Sequence, residues 1–159
     1  MARIELTREI AAPVARCFDL ARSVRAHVHS ASRTLERAVG GVTDGLLQLG
    51  DEVTWEARHF GVRQTLTSRI TEFERPHHFR DVMTRGAFRR FAHDHYFEAT
   101  PQGTILRDVV EYEAPLGILG RIAESLVLTR YLRRFLDSRN AALQELAQSD
   151  GWREFLSGS

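Results

Sequence analysis

Apolar and polar residues alternate through most of the first 115 positions, and then the rhythm changes. Ile4, Leu6 and Ile10 stand among Arg3, Glu5, Thr7 and Arg8, a near-alternation that predicts a first strand. Ala11-Ala12-Pro13 ends it. Pro13 suits a first helical turn, and Val14, Cys17, Phe18 and Ala21 return at helical spacing, so a short helix follows. A second short helix is expected near 23–29. Strand patterns then succeed one another. The stretch 35–39 is closed by Gly40-Gly41, and 52–60 places Val53, Trp55, Ala57 and His59 on one face. Beyond Gly61, Val62, Gln64, Leu66, Ser68 and Ile70 share a face until Glu74-Arg75-Pro76 breaks the run. Phe79, Asp81, Met83 and Arg85 come next, then Phe91, His93, His95 and Phe97. Thr100-Pro101-Gln102-Gly103 is a hairpin turn signal. Leu106, Asp108, Val110 and Tyr112 complete the series.

After Pro115 the period lengthens from two to about 3.6 residues. Ile118, Ile122, Leu126, Leu128, Leu132, Phe135, Leu136, Leu143 and Leu146 form a broad apolar stripe. Arg121, Glu124, Arg130, Arg133, Arg134 and Glu145 lie mainly off it. One long amphipathic helix is predicted, with a looser start over 116–120. The domain is expected to span 1–148. Residues 149–159 read as a weakly anchored tail from which Trp152 and Phe155 can dock. The fold class is therefore α+β: a curved antiparallel sheet wrapped around a long C-terminal helix, with two short helices after the first strand. An antiparallel sheet needs one face covered, and the terminal helix is the element long enough to do it.

The element order and three local stretches resemble the START/Bet v 1-like superfamily, also called SRPBCC or polyketide cyclase-like, and are most similar to its bacterial ligand-binding branch. The first stretch runs from Ile4-Glu5-Leu6 through Ala12-Pro13-Val14 to Cys17-Phe18-Asp19-Leu20. The second is Gly50 to Gly61, containing Glu52-Val53-Thr54-Trp55-Glu56-Ala57. The third is Asp108-Val109-Val110-Glu111-Tyr112-Glu113-Ala114-Pro115-Leu116-Gly117. The resemblance implies a helix-grip fold around a cavity. It carries over no catalytic motif, because the superfamily includes lipid carriers, hormone receptors, aromatase/cyclases and chaperone activators.

Turn positions set a register. A tight hairpin at Phe60-Gly61 places His59 beside Val62, Ala57 beside Gln64 and Trp55 beside Leu66. The turn near Gly103 places Phe97 beside Leu106 and His95 beside Asp108. The turn near Gly86 places Met83 beside Phe91 and Asp81 beside His93. All these pairs share one face. That face is mostly apolar, yet it carries Asp81, Arg85, His93, His95 and Asp108. Charges on a covered face are costly unless paired, and two histidine–carboxylate pairs emerge: Asp81 with His93, and His95 with Asp108. Apolar walls with a few convergent polar groups suit a small-molecule pocket; paired polar groups can equally be satisfied core that fixes register. The candidate ligand-binding residues are Trp55, His59, Leu66, Met83, Arg85 and Phe91, with His93, His95, Val110 and Tyr112 from the last two strands. Leu128, Leu132 and Phe135 join them from the helix. The catalytic candidates are His93, His95, Asp81 and Asp108.

Composition narrows the partners. A formal net charge of +1 over 159 residues gives no basic field for nucleic acid. The pairs Arg89-Arg90 and Arg133-Arg134 read as solvated faces. A single cysteine, Cys17, excludes a disulfide within the chain and suits a reducing cytoplasm. It falls on the apolar face of the short helix, where a structural thiol is expected. The N-terminal residues lack the apolar run of a signal peptide, and no segment is apolar enough to span a bilayer. No Gly-x-Ser-x-Gly elbow or phosphate-binding glycine loop is present. His93-x-His95 on one strand is a possible pair of zinc ligands, but the sequence offers no evident third, so neither metal nor cofactor is expected. His27-x-His29 and His77-His78 are expected in solvent. The expected role is to bind or carry a small hydrophobic or aromatic molecule, lipid or polyketide-like, as a monomer or weak homodimer. The rival roles are a cyclase/aromatase- or hydrolase-type enzyme using a histidine–carboxylate pair, and a protein-interaction module with a vestigial cavity.

Overall fold

The computed structural model describes residues 1–114 and 127–156. Strands β1 (Ala2–Ile10), β2 (Arg37–Gly41), β3 (Glu52–His59), β4 (Val62–Glu74), β5 (His78–Arg85), β6 (Arg90–Thr100) and β7 (Gly103–Glu113) form one curved antiparallel sheet. Their order is β1-β7-β6-β5-β4-β3-β2. Between β1 and β2, which occupy opposite edges, the chain passes through helices α1 (Val14–Ala21) and α2 (Val24–Ser30). Ser23 caps α2 by accepting a hydrogen bond from the Ala26 amide, satisfying one of the free donors of its first turn.

Two turns explain why the register was legible. Phe60 and Gly61 both have positive φ, 54° and 75°, as a two-residue hairpin loop requires. They fix His59 opposite Val62 and Trp55 opposite Leu66. At Gly103 a β-carbon would lie 2.2 Å from the Ile10 carbonyl oxygen, so only glycine fits where β7 begins beside β1. Phe97 then faces Leu106, and His95 faces Asp108. Asp81 faces His93.

Helix α3 (Thr129–Gln148) covers the concave face. Its 20 residues give a rod about 30 Å long. It buries Leu132, Leu136, Leu143, Leu146 and Ala147. The expected helical positions Ile118, Ile122 and Leu126, and the looser start at 116–120, lie outside the described residues. Two apolar clusters hold helix and sheet together. One joins Ile4, Val110 and Tyr112 to Leu132 and Leu136. The other centres on Phe18 of α1, whose ring meets Phe73, Phe79 and Phe97 edge-on at 5.4–5.5 Å. Beyond α3, Trp152–Leu156 forms a short helix, α4, and Trp152 and Phe155, the residues expected to dock, pack against the cluster around Phe18. No helix among the described residues is long and apolar enough to cross a membrane.

Candidate functional site

Between the two clusters, sheet and helix do not close completely. A cavity of about 140 Å³ remains. Its walls are largely apolar: Val53, Trp55 and Ala57 from β3, Leu66 from β4, Phe91 from β6, and Leu132 and Phe135 from α3. Its polar lining includes Asp81, His93 and His95 on the sheet, His27 on α2, Glu36 just before β2, and Arg139 on α3. A wider groove of about 440 Å³ lies against β5, β6 and β7 on the convex side, lined mainly by polar and charged residues such as Glu74, His78, Glu98 and Arg107.

The sheet polar groups form one connected network rather than two separate pairs. Register places Asp81 opposite His93, but the side chains reach diagonally. His95 Nε2 donates to Asp81 Oδ2 at 3.0 Å, and His95 Nδ1 lies 3.0 Å from Asp108 Oδ1. His93 Nε2 donates to the same Asp108 oxygen at 3.1 Å, and Asn140 of α3 donates to the other. The expected pairing of Asp81 with His93 is thus corrected: adjacent strand positions set backbone proximity, while side-chain tilt chose the diagonal partner. The two imidazoles stack at 3.7 Å, so a positive charge on one disfavours a positive charge on the other. Burial alone would lower the His95 pKa, but the hydrogen bonds to Asp108 and Asp81 and their charges push it up to about 9. Burial and the neighbouring His95 charge lower that of His93. The buried Asp108 carboxyl is held well below the usual range because the hydrogen bonds it accepts from both histidines, and the positive charge of the pair, outweigh the effect of burial.

A second polar group was missed by sequence reasoning. His27, expected in solvent, stacks on Trp55 at 4.0 Å. Arg139 Nη2 donates to its Nδ1 at 2.7 Å, so that nitrogen carries a lone pair and His27 is neutral. Its Nε2–H then donates to Glu36, which is 8% exposed. Burial and the Arg139 charge lower the His27 pKa. Burial opposes ionisation of Glu36, yet the His27 hydrogen bond and nearby positive charge hold its carboxyl below the ordinary value. Arg139 Nε is buried without a hydrogen-bond partner among the described residues. One signal could have found Arg139 and Asn140: between Leu136 and Leu143 the apolar stripe skips a turn, and positions three and four after Leu136 face the same side.

The structure brings Trp55, His59, Leu66, Phe91, His93, His95, Asp81, Leu132 and Phe135 to the cavity. Six other candidates are elsewhere. Val110 and Tyr112 are wholly buried under α3 against Ile4, where β1, β7 and the helix close on one another, and Leu128 packs on that cluster. Met83 folds under Gly86, where a β-carbon would come within 2.7 Å of its sulfur. Arg85 is exposed because a bulge inserts Thr84: Ser68 pairs with Met83, but Thr67, its neighbour on the opposite face, pairs with Arg85. One extra residue moves the next side chain to the other face. Asp108 lies beneath the histidines, joined to them and to Asn140. At the rim, His59 Nδ1 and the Tyr131 hydroxyl are 2.6 Å apart. Cys17 is fully buried, and burial raises its thiol pKa.

Residues 1–148 match the family described as polyketide cyclase / dehydrase and lipid transport. The chain belongs to this family. No curated protein sequence matches it. Among solved structures, a Thermus thermophilus protein superposes with a TM-score of 0.75 at 18% identity, covering 91% of this chain and 95% of the other. A Chromobacterium violaceum protein gives 0.73 at 14% identity, over 93% and 98% of the two chains. Ginseng major latex-like protein 151 gives 0.68 at 14% identity, also over 93% and 98%. These likenesses establish the Bet v 1-like helix-grip fold.

Proposed function

We propose that this family member binds a small aromatic molecule of about one ring that carries a polar oxygen. The observation that carries the reading is the cavity itself. Its volume of about 140 Å³ is close to that of dry apolar cavities that admit benzene, roughly 150 Å³, and well under the ~300 Å³ of pockets for drug-sized molecules. The family's description includes lipid transport, but a long chain or fused-ring system needs the cavity to widen. Trp55, Leu66, Phe91 and Phe135 supply apolar wall for a ring. The partnerless Arg139 Nε supports an acceptor on the ligand, since a buried donor left unpaired costs about 1–3 kcal/mol. An unfilled interior also speaks for a binding role over an interaction module with a closed core. Cys17, buried and the sole cysteine, supports a reducing, cytoplasmic setting.

Thermal unfolding of the full chain with phenol-, benzoate- and toluene-class compounds, a long-chain fatty acid and a three-ring aromatic tests the proposal. A one-ring polar compound at about 100 times its Kd stabilises by about 2.7 kcal/mol, a rise of about 5–11 °C for a chain of this size. A larger rise with the fatty acid or the three-ring compound, or no rise with any of them, overturns it.

A further inference from the structure

We propose that Asp81, His93 and His95 form a binding site for one divalent transition-metal ion of the zinc class at the polar end of the cavity. One ligand atom from each residue lies within 4.8 Å of the other two, and all three side chains line the cavity. The His95 Nε2 to Asp81 Oδ2 separation of 3.0 Å is close to the roughly 3.3 Å between two ligands of a tetrahedral zinc ion. Two imidazole nitrogens and one carboxylate oxygen form a donor set suited to zinc and its neighbours, not to calcium or magnesium.

The surroundings support this as strongly as the ligands do. Metal-bound histidines donate their other N–H to a carboxylate or carbonyl that fixes ring orientation. Here a single carboxylate, Asp108, meets both rings, through His93 Nε2 and His95 Nδ1. This leaves Nδ1 of His93 for an ion, and Nε2 of His95 takes one by giving up the proton with which it bonds Asp81. Asn140 holds the other oxygen of Asp108 from the helix side, so Asp108 is a positioning residue anchored in both layers. With three protein ligands, one coordination position faces the cavity, the arrangement of catalytic rather than structural zinc sites. A second group, Glu72, His78 and Asp94, has similar spacing. It lies on the opposite face of the sheet, and its Asp94 is already engaged by Arg80 and His78. It has no shared orienting carboxylate and serves as an internal control. The metal site is independent of the aromatic ligand, so metal alone is the probe.

Full-length protein treated with a chelator is titrated with Co²⁺ under visible absorption, and then Zn²⁺ is used to displace it. The expected result is one ion per chain, with the intense bands of a low-coordinate cobalt centre. His93→Gln and His95→Gln should each weaken binding at least tenfold, Asp108→Asn should weaken it about 10–100-fold, and His78→Gln should leave it unchanged. Should the histidine variants fail to fold, proton NMR of the wild-type Co²⁺ form decides. Two solvent-exchangeable imidazole N–H signals outside the ordinary spectral range are expected, and Asp108→Asn should move both. Absence of saturable binding, insensitivity to His93→Gln and His95→Gln, loss of binding in His78→Gln, or absence of the exchangeable signals overturns the assignment and leaves the network as satisfied core.

Discussion

Replacing Glu36 by Gln removes one negative charge from a nearly sealed site while keeping size and shape. In the wild type the carboxylate accepts the His27 Nε2–H, and His27 in turn accepts from Arg139. The Gln amide oxygen still accepts the His27 Nε2–H, so a charge-assisted hydrogen bond of about 1.5–3 kcal/mol becomes a neutral one of about 0.5–1.5 kcal/mol, and Arg139 also loses a nearby countercharge. Removing one partner of a fully buried ion pair costs about 3–5 kcal/mol; Asp81 also lies within the field of Arg139, which moderates the loss. We expect about 2–4 kcal/mol at pH 7.5, or about 4–16 °C in Tm. The sign with pH follows from the lowered Glu36 pKa. An ionised carboxylate held below its ordinary value stabilises fully above pH about 4.5, and that stabilisation is lost as pH falls through the folded-state value. The gap between wild type and variant should therefore be constant from pH 8 to 6 and shrink below about 4.5. The wild type should itself weaken below pH about 6.5, where the unfolded chain binds a proton that folded His27, with its lowered pKa, refuses. Urea unfolding of both proteins across this range measures the gap. A gap under about 0.5 kcal/mol at pH 7.5, or one equally wide at pH 4, would refute the charged Glu36–His27–Arg139 arrangement.

Ala57 lines the cavity from β3, and Ala57→Phe places a ring where the ligand's ring is proposed. Ligand-induced thermal shifts should vanish while the variant alone loses no more than about 1–3 kcal/mol from overpacking. Retained shifts would move the binding site elsewhere. Phe18→Ala deletes the ring that three others meet edge-on and should cost about 3–5 kcal/mol in urea unfolding; a cost below about 1.5 kcal/mol would mean that α1 contributes little to the core.

Strand identity, pairing across the hairpins and the concave face were legible because their determinants are local. Alternation assigns each side chain to a face, and turns such as Phe60-Gly61 and Gly103 set which residue meets which. His93, His95, Asp81 and Asp108 could therefore be placed on the covered side, and the change to a helical period announced the covering helix. Arg85 escaped this logic because the bulge at Thr84 inserts a residue that nothing in the local sequence signals. Val110 and Tyr112 escaped it for another reason. They do face inward, but whether an inward residue meets a helix or a void depends on how far that helix stands from each part of the sheet.

The sequence by itself determined an antiparallel sheet, its register next to the turns at Phe60-Gly61, Gly86 and Gly103, and a long amphipathic helix, since each rests on contacts between near neighbours or across short turns. Only the tertiary structure decided the chemistry inside. Diagonal tilt joined His95 to Asp81 and Asp108 in one network. Packing of α2, the segment before β2, and α3 brought together His27, Glu36 and Arg139, the last more than a hundred residues distant in the chain. Such convergence is set by the distances and angles between layers, which depend on how whole surfaces of side chains fit, and no spacing within one element encodes it.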